Sequence, residues 1–121
     1  MATSRSIDPA PVWRAGAQLF SGRPDPEWSL TPVRARALVA AWDTLHAIPS
    51  DAVPVAPVLG YRGCRMSDGA GRTWRAGQGL VLLQHEGVSS ARADPDRRFE
   101  RAILASAPPG VLPADLRRGI I

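Results

Sequence analysis

Hydrophobic and polar positions change period several times along the chain, and each change marks an element. Val12 to Phe20 (VWRAGAQLF) is apolar at both ends and predicts a strand, interrupted at Gly16. The turn SGRPDP follows, then a short extended piece over Glu27-Trp28-Ser29-Leu30. Thr31-Pro32 opens a helix, because threonine caps free amides and proline at the first position lacks the N–H that would go unpaired. Leu38, Ala41, Trp42 and Leu45 then recur at helical spacing, and Ile48-Pro49 marks the end. Residues 49–58 (PSDAVPVAPV) form a proline-rich connector.

From Leu59 to Met66 (LGYRGCRM) the pattern alternates, with Leu59, Tyr61, Gly63 and Arg65 on one side and Gly60, Arg62, Cys64 and Met66 on the other. Asp68-Gly69 supplies hairpin-turn chemistry. Arg72 to Gln84 returns as a strand, broken by a bulge or bend near Gly77 or Gly79. His85-Glu86-Gly87 is a further turn, and Val88 to Arg92 predicts a short edge strand. Asp94-Pro95 repeats the cap-plus-proline signal and opens a second helix, with Phe99, Ala102, Ile103 and Ser106 on one face. The sum is a single α+β domain over residues 1–121: a small antiparallel sheet, centred on the hairpin 59–84, with two helices packed on one face. Residues 1–10 are expected to fray, and 108–121 form a tail ending in Ile120-Ile121. An apolar tail needs a surface to dock on, and together with the short edge strands it predicts a homodimer.

Composition narrows the partners. The net charge is +4, but all 15 basic residues are arginine, dispersed along the chain and mixed with aspartates. The absence of both lysine and asparagine matches a GC-rich coding bias, so the basic balance argues only weakly for nucleic acid. Cys64 stands alone, which excludes an intrachain disulfide framework and predicts a buried thiol. No apolar run suits a membrane span and no signal core precedes Val12, so a cytoplasmic location without membrane contact is expected.

Candidate chemistry is sparse. Two isolated histidines and one cysteine make no metal-binding spacing, and the glycine-rich segments match no phosphate loop, so neither metal nor cofactor is expected. No nucleophile elbow is present. His46 belongs at a helix end, whereas His85 beside Glu86 is the more plausible functional histidine. The tryptophans read as core residues. Arg62, Arg65, Arg72 and Arg75 flank the hairpin turn on two strands, either as a solvated face or as a basic strip for an acidic peptide or C-terminal carboxylate.

Three separated pieces carry a resemblance. Ser21-Gly22-Arg23-Pro24-Asp25-Pro26, Leu59-Gly60-Tyr61-Arg62-Gly63, and Asp94, Arg97, Glu100 and Arg101 resemble the S-G-R-P-N-P, L-G-Y-R-G and D-x-x-R-x-x-E-R motifs of a family of small bacterial and fungal proteins. Asp25 replaces the asparagine of that pattern. Proteins of this kind resemble the accessory proteins of crocagin-type ribosomal peptide biosynthesis. The resemblance implies a non-enzymatic protein that holds a precursor peptide for tailoring enzymes of its pathway during pyrroloindoline formation. Under that reading an exposed strand edge pairs with the peptide backbone and hairpin arginines meet its acidic groups. Arg62, Arg65, Trp74, Arg75 and His85 are the candidate peptide contacts, and Arg23 with Glu100 is expected to form a structural ion pair. The rival readings are a small enzyme for a cyclisation or hydrolytic step, using His85 and Glu86 as acid and base, and a basic nucleic-acid-binding domain.

Overall fold

Tryptophans and small apolar residues in the strands sit beside charged neighbours, and that alternation separates a packed face from a solvated one. The computed structural model describes residues 12–19, 24–49 and 61–114. Its strands are β1 (Arg14–Leu19), β2 (Glu27–Ser29), β3 (Ala47–Ile48), β4 (Tyr61–Ser67), β5 (Thr73–Gly77), β6 (Leu80–His85) and β7 (Val88–Ala93). The helices are α1 (Pro32–Asp43) and α2 (Arg98–Ala105). All strands join one antiparallel sheet in the order β2-β1-β4-β5-β6-β7-β3. This is the expected α+β fold, with the 61–85 strands at its centre.

One core lies between the sheet and the helices. Ala15, Ala17, Trp28, Cys64, Met66, Trp74, Ala76 and Val81 enter it from the strands, and Ala35, Leu38, Trp42, Phe99, Ile103 and Leu104 enter it from the helices. Trp13 stacks on Trp74 with ring centres 5.8 Å apart, and the Arg72 guanidinium lies 5.0 Å from the Trp74 ring. Arg72 is held there by Asp68, whose carboxylate accepts from Arg72 Nε at 2.7 Å and from the N–H groups of Ala70 and Arg72. Burial of Asp68 opposes its ionisation, but those hydrogen bonds and the Arg72 charge outweigh it and hold the carboxyl below its ordinary value.

Several boundaries differ from expectation. The break near Gly79 is a true reversal: Gln78 and Gly79 both have positive φ and separate β5 from β6. Glu86 and Gly87 repeat that geometry between β6 and β7, because two-residue hairpins with positive φ at both positions match the sheet's twist. Helix α1 stops at Asp43, five residues before the expected end, and Ala47-Ile48 pairs instead with β7. That pairing covers part of β7, which is therefore next to the edge rather than on it.

Two motif segments have structural work to do. Arg62 and Gly63 of β4 lie opposite the single residue Gln18 of β1, a bulge that resets the alternation. Gly63 has φ of 113°, and a Cβ there would stand 2.4 Å from the Ala76 carbonyl oxygen. Before α2, Asp94-Pro95 does not open an α-helix directly. A 3-10 turn over Pro95–Arg97 intervenes, with left-handed Asp96 and Arg97. The buried Asp94 carboxylate then accepts from the N–H groups of Phe99 and Glu100 at 2.8 and 3.1 Å. Arg97 grips the fully buried Glu100 carboxylate with two hydrogen bonds, 2.9 and 2.7 Å long. Arg23, the expected partner of Glu100, lies outside the described residues, as do the N-terminal decapeptide and Gly119-Ile120-Ile121.

Candidate functional site

The sheet face turned away from the helices is organised by register. Glu27, Gly16, Arg65, Arg75, Leu82, Ala91 and Ile48 are successive cross-strand partners, making one row across all seven strands. A second row beside it runs Ser29, Arg14, Ser67, Thr73, Gln84 and Ser89. Among the described residues no helix packs on either row. One end of the first row is charged and the other is aliphatic.

At the charged end Arg14, Glu27, Arg65, Ser67, Thr73 and Arg75 surround a depression of about 280 Å³. The Glu27 carboxylate accepts from Arg14 at 3.2 Å and also closely pairs with Arg65. It reaches Arg65 over Gly16, where a Cβ would lie 3.3 Å from Glu27 Cγ and 3.5 Å from Arg65 Nε. A side chain at that position would crowd the bridge. Arg75 donates from Nε to Gln84 Oε1 at 3.1 Å. Two of the three guanidinium groups, those of Arg14 and Arg65, therefore share the Glu27 carboxylate, which lies on the far side of Arg65 from Arg75. Arg65 and Arg75 are direct cross-strand partners, a like-charge pairing that destabilises a sheet unless an anion intervenes. Chemically, guanidinium groups placed this way can donate charge-assisted hydrogen bonds to a carboxylate or another oxyanion.

The four expected contacts whose side chains are described do not converge. Arg65 and Arg75 face the depression. Trp74 is fully buried on the opposite face, in the core, and is therefore not the peptide contact expected from the sequence. His85 follows the outward Gln84 on β6, so alternation sets it on the other side, exposed at the hairpin end beside Glu86. Neither residue lines the depression. The Arg62 side chain lies outside the described residues. Arg72 is committed to Asp68 and the indoles.

Sequence reasoning missed Arg14, Glu27 and Gln84. A signal was present: Trp13-Arg14, Glu27-Trp28 and Trp74-Arg75 each pair an inward indole with an outward charge. A larger depression of about 360 Å³ lies beside His46, Asp94 and Arg98, but the Asp94 carboxylate there is occupied by the α2 backbone. Among the described residues no cluster of three potential metal ligands occurs, and no helix is long and apolar enough to cross a membrane. Comparison with protein-family models, curated proteins and solved structures gives no significant match.

Proposed function

We propose that the protein binds an extended acidic peptide on the open face of its sheet and acts as a holding protein rather than an enzyme. The observation that carries this reading is the Arg65–Arg75 pair, two opposed guanidinium groups with no carboxylate between them and no helix over them among the described residues. An incoming carboxylate relieves their repulsion and makes charge-assisted hydrogen bonds. The sheet edges are weaker candidates for backbone pairing, since β2 has three residues and β3 two. His85 and Glu86 lie exposed on a hairpin, where water competes with any acid–base pair.

The three motifs suggest a ribosomally made precursor peptide as the ligand, with tailoring enzymes of the same pathway as further partners. A cytoplasmic location and a homodimer, for which the short edge strands and the apolar tail sequence argue, belong to the same proposal. Calorimetric titration of such a precursor tests binding. Saturable heat that is lost in Arg75→Gln supports it, and no heat at high micromolar concentration overturns it. Sedimentation tests the dimer, which a monomer at high protein concentration would exclude.

A further inference from the structure

Resting on the peptide-binding reading, we infer that the ligand is amphiphilic and crosses the strands: a carboxylate seats between Arg65 and Arg75, and an apolar side chain covers Leu82. The register places these groups in one line, with Leu82 the next partner after Arg75, then Ala91, then Ile48. Leu82 and Ile48 are partly exposed, and Ala91 is buried yet stands apart from the core between sheet and helices. The basic end and the aliphatic end are thus two halves of one surface.

Strand spacing converts that row into a sequence rule. Neighbouring strands lie about 4.8 Å apart, so Leu82 is about 7 Å from the midpoint of the arginine pair and Ala91 about 12 Å. An extended peptide advances about 3.3 Å per residue and alternates its side chains. An acidic residue between the arginines therefore sets the second residue along over Leu82. The first and third point away from the sheet. A nucleic-acid strand matches this surface less well, because its phosphates continue past the arginines onto aliphatic residues and meet Glu27 at the other end.

The test uses the full chain and fluorescein-labelled Gly/Ser peptides carrying one Glu and one Leu. The Leu is set one, two, three or four residues from the Glu, on either side. Anisotropy at low salt is expected to show a spacing of two binding about fivefold tighter than one, three or four, the gain from partly burying one leucine. Leu82→Ser is expected to remove that gain and leave a Glu-only peptide unaffected, while Arg75→Gln weakens both. Leu82→Thr, which puts a β-branched residue in the strand, serves as the second variant if Leu82→Ser fails to fold by circular dichroism. Equal affinity at all spacings, with dependence on Arg75 retained, overturns this inference and leaves peptide binding standing. No binding of any peptide at millimolar protein overturns both. Tighter binding of oligo-dT, falling steeply with salt, assigns the face to nucleic acid and also overturns both.

Discussion

Replacing Asp94 with alanine removes one carboxylate that organises the whole approach to α2. Its two oxygens accept separately from the N–H groups of Phe99 and Glu100, and all three residues are at most 2% exposed. Alanine leaves both donors buried without a partner, at about 1–2 kcal/mol each, so the loss is about 2–4 kcal/mol. The upper part of that range applies because the preceding turn holds left-handed Asp96 and Arg97, which cost about 1 kcal/mol each and rely on this anchor. Asparagine keeps one acceptor and turns an amide donor toward the other N–H, so it is expected to lose about half as much or more. Urea unfolding followed by tryptophan fluorescence measures both variants, and the alanine change should lower the thermal midpoint by about 10 °C. A loss below about 0.5 kcal/mol for alanine, or asparagine as stable as wild type, refutes the anchoring role.

Three further outcomes follow from other positions. The Asp68 carboxyl is held below its ordinary value of 3.8, so its stabilisation is present above the unfolded-state value and is lost as pH falls through the lower folded value. Asp68→Asn should therefore be less stable at neutral pH and lose less stability than wild type below about pH 4, as parallel urea titrations will show. Gly63→Ala should destabilise by about 3 kcal/mol or prevent folding, because its Cβ meets the Ala76 carbonyl oxygen at a positive φ; a stable variant would mean the bulge relaxes freely. Glu86→Gly relieves a left-handed glutamate with φ of 51° and should stabilise the chain by about 0.5 kcal/mol in the same urea assay. Its peptide affinity should equal that of wild type, and a weakened affinity would place Glu86 in the binding surface.

The fold was legible where local chemistry and burial agree. Thr31-Pro32 marks the start of α1, where the Thr31 hydroxyl accepts from Arg34 N–H at 3.1 Å. Trp28, Trp42 and Trp74 are buried, as the absence of a nucleic-acid pattern suggested. Element ends were less legible because tertiary pairing decides them: Ala47-Ile48 has no strand signal of its own and becomes one through β7. The α2 entry was misjudged for a similar reason, since Asp94 caps across five and six residues instead of the usual two or three.

The candidate site was half legible. Arg65 and Arg75 were found from the hairpin alone, but Arg14 and Glu27 reach them only through the β2-β1-β4 order. A single sequence does not specify that order. The D-x-x-R-x-x-E-R motif resolves into structure: Asp94 anchors the helix entry and Arg97 neutralises buried Glu100. Those motif residues support the fold, whereas the proposed peptide contacts lie on the outer face of the sheet.

The most direct measurement is an NMR titration of the labelled full chain with the Glu–Leu peptide of two-residue spacing. The account predicts that the Nε–H signals of Arg65 and Arg75 and the methyls of Leu82 shift together and saturably, while the amides of α1 and α2 stay in place. Shifts centred on His85, Glu86 or the helices, with Arg75 and Leu82 unmoved, would contradict it.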